Sequence, residues 1–168
     1  MRTAISAAVL GAVVTASAAA VVAARDRVAV AQPGTPPPAV LRFANPPAVA
    51  APTGYSHLAI VSPGTELMFL SGQVGVRPDG TVPDEPEAQY EQALANVVAL
   101  LAAERASPAD LVKVNTYLVR PLAVDRIREI RRRHLGAVAP ASTLVYVPRL
   151  AQERYLVEVE AIAVRRAR

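Results

Sequence analysis

Apolar positions cluster along the chain in two rhythms. Short runs that alternate or are continuously apolar predict strands over His57–Val61, over Leu67–Leu70 with Val74 and Val76 continuing it, and over Val112–Val119. Ser62-Pro63-Gly64-Thr65 splits the first two, which predicts a β-hairpin, and Pro78-Asp79-Gly80 is a turn. A helical rhythm joins Tyr90, Leu94, Val97, Val98 and Leu101, so one apolar stripe runs along a helix that ends near Arg105. Asp84, Pro86 and Glu87 supply the chemistry of its start, as a capping residue, a first-turn proline and a capping-box acid. Ser107-Pro108-Ala109-Asp110 caps a short helical turn before the Val112 strand, which presents Val112, Val114, Thr116 and Leu118 on one face. A second helix spans about Leu122 to His134, with Val124, Ile127, Ile130 and His134 inward and Gly136 placed to end it. Within Pro140–Val164 two more apolar strands flank a polar connection. The order β-β-α-β-α-β-β predicts an α+β sheet with both helices on one face. The other face needs cover, and an apolar open face predicts oligomerisation.

Glu158 and Glu160 interrupt the last strand. Alternation puts both on one face, opposite Val157, Val159, Ala161 and Ala163. Carboxylates buried there without partners would cost several kcal/mol, so they must meet a cleft, water or donors.

The N-terminus changes the count of structured residues. Met1-Arg2 is followed by an uncharged, Ala- and Val-rich run from Thr3 to Ala24, and Ala29-Val30-Ala31 fits a small-x-small cleavage pattern. Residues 1–31 therefore read as a signal peptide, with Gln32 as the mature N-terminus and export to a periplasm or the exterior as the address. The alternative is an uncleaved membrane anchor, since the uncharged run is long enough to span a bilayer. Residues 32–52, rich in proline and alanine, read as an extended linker with at most a strand around Leu41–Phe43, which leaves residues 53–168 as the domain. With no cysteine, neither a disulfide nor a lipid-modified cysteine is available. Removing the leader takes away three arginines and one aspartate and lowers the net charge from +4 to +2. That balance does not by itself argue for nucleic acid.

Gly54-Tyr55-Ser56-His57, Leu70-Ser71-Gly72-Gln73, Val112-Lys113-Val114, Pro140-Ala141-Ser142-Thr143 and Val157-Glu158-Val159-Glu160-Ala161-Ile162-Ala163 together resemble, in order and spacing, the RidA/YjgF family. The resemblance covers roughly Leu41 to Val164. It implies a chorismate-mutase-like α+β domain with a mixed sheet, three copies closing into a homotrimeric barrel, and small-molecule clefts between subunits. It implies hydrolysis of reactive enamine or imine intermediates to ketoacids and ammonia, without metal or organic cofactor. Glu158 matches the glutamate that positions the attacking water, and Tyr55 matches a cleft tyrosine. Ser71, Gly72 and Gln73 would present backbone amides to a ligand, and His57, two residues from Tyr55 on an extended segment, lies on the same side. In the best-known branch an arginine directly after the Pro-Ala pair grips the substrate carboxylate with two prongs. Here Ala141 or Ser142 fills that position. The Ser142 hydroxyl and the backbone remain as donors, and Arg149, in the turn after the same strand, is a candidate replacement from a neighbouring subunit. Glu129 stands near the position of a family asparagine on the second helix.

Two alternatives remain beside the deaminase. The missing arginine favours a non-catalytic small-molecule binding protein on the same scaffold. Arg126, Arg128, Arg131, Arg132 and Arg133 crowd the second helix and suggest an anionic partner such as RNA, with binding or ribonuclease activity. Against RNA, no aromatic residues interleave the arginines to stack bases, and Asp125 and Glu129 stand within reach for ion pairs along the helix.

Overall fold

In the computed structural model, which describes residues 40–165, the chain forms two sheets and two helices. The expected leader and most of the proline-rich stretch lie outside the described residues. Strands β1 (Leu41–Ala44) and β2 (Leu58–Val61) pair antiparallel as a separate ribbon. Strands β3 (Glu66–Val74), β4 (Leu111–Leu118), β5 (Ala141–Tyr146) and β6 (Val157–Arg165) form a mixed sheet in the order β3-β6-β4-β5. Only β4 and β5 are parallel in it; α2 (Val124–Leu135) makes the crossover that a parallel pair requires.

The hairpin expected between His57–Val61 and Leu67–Leu70 does not form. The Ser62 N–H bonds back to the Val40 carbonyl at 3.0 Å, extending the β1–β2 ribbon. β3 pairs instead with β6 along most of its length. The physical reason is burial: β3 turns Met68 and Leu70 toward the main core, whereas β2 has no buried residue and leaves Leu58 exposed. β1 falls inside the stretch read as a linker, where a strand at Leu41–Phe43 was the most expected.

β6 lies between β3 and β4, and its Val157, Val159, Ala161 and Ala163 are almost fully buried under the helices, as alternation predicts. Helix α1 (Pro86–Ala103) buries Tyr90, Ala93, Leu94, Val97 and Leu101 against this face, and Val98 lies at the stripe's margin. Each such side chain contributes about 1.5–3 kcal/mol on leaving water. The start of α1 differs from expectation. Glu85 is the N-cap without a side-chain cap, and Glu87 turns away to accept from Arg126 at 2.9 Å rather than closing a capping box. The box forms at Ser107–Asp110 instead, where the Asp110 carboxylate accepts from the Ser107 N–H at 2.9 Å.

Two inward assignments shift. A register irregularity between Leu111 and Lys113 buries Leu111 rather than Val112 at the start of β4. In α2, Ile127, Ile130 and Leu135 are buried, but Val124 in the first turn is 58 % exposed and His134 is only half-buried. Gly136 ends the helix with φ of 70°, a left-handed conformation that a side chain would disfavour.

Candidate active site

Chemistry-bearing side chains gather in two places on opposite faces of the sheet. On the face away from the helices, β3 carries a bulge: Leu70 pairs with Ala161 and Gln73 with Val159, so Ser71 and Gly72 together oppose Glu160. A bulge bends the strand and re-aims its groups. The Gln73 side-chain amide closes it by donating to the Ser71 carbonyl at 2.9 Å. The Glu158 carboxylate lies directly over Gly72: a methyl there would come within 1.8 Å of Glu158 Oε1. Glycine at 72 is thus the space in which Glu158 lies.

The two carboxylates of β6 share this face and have different fates. Glu160 Oε1 accepts from Asn115 Nδ2 and from the Tyr117 hydroxyl, each at 2.7 Å. The Tyr117 bond foremost, then that of Asn115, holds its pKa below the ordinary glutamate value against the opposing effect of burial. The same bond, with burial and the neighbouring negative charges, raises the Tyr117 pKa. Glu158, half-buried, accepts no hydrogen bond from a protein donor among the described residues. Glu160 is the structural carboxylate, and Glu158 is left with its oxygens available to water or a ligand.

The second place lies at the β5 edge, on the helix side. The segment before β2 runs beside β5, with Ser56 bridging Ala141 and its N–H donating to the Pro140 carbonyl at 3.3 Å. This bridge seats Tyr55 at the mouth of a pocket of about 580 Å³ lined also by Ser142, Leu144, Tyr146 and one side of α2. His57 is on the same segment, but its ring is engaged: Nε2 donates to the Ala50 carbonyl at 2.7 Å and the ring meets Tyr55 edge to face. Its backbone N–H donates to Asn45 Oδ1 at 2.8 Å, so the residue ties down the loop before β2. The alternation of β5 sends Ser142 into the pocket with Leu144 and Tyr146, while Ala141 faces the other way. Arg149 is exposed in the turn beyond β5 and does not line the pocket.

A residue that sequence reasoning left within the arginine cluster stands at the pocket's inner wall. Arg131 Nη1 donates to Ser142 Oγ at 2.8 Å. Its Nη2, the Tyr90 hydroxyl and the Thr116 hydroxyl are all buried, and none completes a hydrogen bond of ordinary geometry. Burial raises the Tyr90 pKa, against the pull of the nearby Arg131 charge and the Thr116 and Arg131 donors. The signal was in the spacing: Arg131 is four residues from both Ile127 and Leu135, on the buried stripe of α2. Among the described residues, no three His, Asp or Glu side chains converge as metal ligands do.

Comparison with known proteins identifies relatives of this chain in sequence and in fold. A family profile described as Endoribonuclease L-PSP matches residues 45–165. The 2-iminobutanoate/2-iminopropanoate deaminase of Escherichia coli is 37% identical over 105 residues, which cover 60% of this chain and 80% of that protein. A RutC family protein of Pyrococcus horikoshii is 32% identical over 99 residues, 58% of this chain and 78% of its own. Among solved structures, YyfB of Yersinia pestis, described as a member of the conserved Rid protein family and of unknown function, superposes with a TM-score of 0.67 at 29% identity. That match covers 75% of this chain and 99% of that one. E. coli TdcF, solved with bound serine, has a TM-score of 0.54 at 30% identity over 70% of this chain and 91% of its own.

Proposed function

The chain belongs to the RidA/YjgF family, and from that premise we propose that it hydrolyses reactive enamine or imine intermediates to ketoacids with release of ammonia. The observation that carries the reading is Glu158 over Gly72, a carboxylate without protein donors beside the backbone of a bulge. Such a group accepts a proton from water as the water oxygen attacks the imine carbon. Glu158 passes that proton to the nitrogen, giving a carbinolamine; the hydroxyl proton then moves by way of Glu158 to the nitrogen as C=O forms and the C–N bond breaks, releasing ammonia. Neither metal nor organic cofactor enters these steps.

Within one chain Glu158 and Tyr55 lie on opposite faces of the sheet and cannot meet on one small substrate. The site is therefore completed between copies, in a homotrimer whose clefts set the Gly72–Glu158 side of one subunit against the Tyr55–Ser142 side of another. The exposed Phe69, Leu67 and Val145 on the open sheet face support such an assembly. Thr3–Ala24, read as an export leader, supports a location outside the cytoplasm; N-terminal sequencing of the processed protein tests cleavage after Ala31.

The full chain is assayed against 2-iminopropanoate generated in situ. Decay faster than buffer, abolished in Glu158→Gln with the trimer intact by light scattering, is the expected result. Decay equal to buffer at micromolar protein sinks the deaminase reading. The absence of an arginine at Ala141 and Ser142 favours the second reading, a binding protein without catalysis, which that outcome would leave standing.

A further inference from the structure

Five arginines lie along α2, and most have their charge matched. Arg126 pairs with Glu87 and Glu129, Arg128 with Asp125 at 3.2 Å, and Arg133 with Glu91. Among the described residues Arg131 has no carboxylate partner, although it is the one turned into the fold. A guanidinium presents five donors in a planar fork. Here one arm is held by Ser142 Oγ at 2.8 Å and the other, Nη2, is buried without completing a hydrogen bond, although the guanidinium lies near the Tyr90 hydroxyl. Leaving a cation partly buried without a counter-charge is costly, and an anion bound beside it offsets part of that cost.

We propose that Arg131, oriented by Ser142, is the carboxylate-holding group of this protein's pocket, and that the pocket selects imino acids with bulky apolar side chains. The inference rests on the deaminase reading for its substrate class. Ser142 is one of the two positions that could correspond to the strand arginine of the best-known branch; here the charge arrives from the helix behind it. Arg128 and Arg132 line the same pocket and add to its positive potential. The volume and walls define the rest of the ligand. About 580 Å³ lies within the range of roughly 300–1,000 Å³ that holds drug-sized molecules. That is far more than an imino acid with a methyl side chain fills. Val124, Ile127, Leu144 and the rings of Tyr55 and Tyr146 offer an apolar surface to a branched or aromatic substituent. The exposure of Val124, anomalous for a helix's first apolar position, is explained by its place in this wall.

The test separates binding from turnover. Calorimetry on the full chain measures the affinity of 4-methyl-2-oxopentanoate, phenylpyruvate and pyruvate, the products of the corresponding imines. The two bulky ketoacids should bind more tightly than pyruvate. Arg131→Met should weaken them roughly ten- to a hundredfold, as loss of a charge-assisted bond does. Arg131→Lys, which keeps a charge but loses the fork, should weaken them less, and it decides the matter if Arg131→Met does not fold. In turnover, Arg131→Met should raise KM for carboxylated imines more than it lowers kcat, and should raise it less for an imine without a carboxylate. Arg131-dependent ketoacid binding supports the inference even where no hydrolysis occurs, so its fate is distinct from that of the deaminase reading. Affinity unchanged by either substitution, no binding at millimolar ketoacid, or a preference for pyruvate overturns it.

Discussion

Gly72 lies in β3 and Gly75 directly follows the strand, three residues on, yet a methyl group would meet different things at each. At Gly72 it meets the end of the Glu158 side chain, which can swing aside; at Gly75 it meets the backbone of Gln89, 2.6 Å away, which cannot. Gly72→Ala should therefore leave stability within about 1 kcal/mol of the parent while lowering imine hydrolysis on the order of 100-fold, the scale of a misplaced general base. Gly75→Ala should cost about 1–3 kcal/mol through overpacking. Denaturant melts beside initial rates distinguish the two. Glu160 adds a pH dependence. Its folded pKa is lowered by Tyr117 and Asn115, so the stability it contributes is complete above the ordinary glutamate range and is lost as pH falls through the lowered value. The stability difference between the parent and Glu160→Gln should shrink over that acidic interval; a difference independent of pH there would contradict the assignment of Glu160 as an ionised structural group.

At the scale of elements, α1 is fastened to the rest of the sheet by polar side chains that its apolar stripe does not reveal. Gln89, 1% exposed, donates to the Pro83 and Arg154 carbonyls and accepts from the Leu156 N–H, each at 2.8 Å. It thereby joins the N-terminus of the helix to the turn that feeds β6. Asn96 does the same farther along, donating to the carbonyls of Val74 at 3.2 Å and Val76 at 2.9 Å. Gln89→Ala leaves buried backbone groups without partners and should destabilise by about 3 kcal/mol, read as a lower urea midpoint at an unchanged slope. Neither residue stood out in the sequence, because a buried amide side chain and a solvated one look alike until partners elsewhere in the chain, 20 and 22 residues away for Asn96 and up to 67 for Gln89, are in place. The helices themselves were legible, since a 3.6-residue apolar rhythm needs no distant partner to be seen. The failed hairpin marks the opposite case. Ser62–Thr65 has suitable turn chemistry, but which strand β3 joins was decided by the core face of β6 rather than by the nearest neighbour in sequence.

For the whole molecule, the sheet covers one face with helices and leaves the other open. That open face is mixed rather than uniformly apolar: Phe69 is 74% exposed, while Glu160, Asn115 and Tyr117 form a polar network beside it. Such a surface suits an interface that specifies its register as well as its affinity. Phe69→Asp should shift the proposed trimer to monomers in light scattering and abolish turnover at the same time, because each proposed cleft would draw on two subunits. A stable monomer with full activity would refute the shared site.

The sequence by itself determined the α+β class, the two helices, the inward face of β6 and the identity of the family, because these follow from local periodicity and from short motifs in a fixed order. It also singled out Glu158 and Gly72 as candidate site residues and has Ser142, not an arginine, directly after Pro140-Ala141. Only the tertiary structure decided that Glu158 lies over Gly72 while Glu160 is tied to Asn115 and Tyr117, that His57 is engaged by its own loop, and that Arg131 lies behind Ser142. These are contacts between residues far apart in the chain, and their energies depend on distances and burial that no local pattern carries.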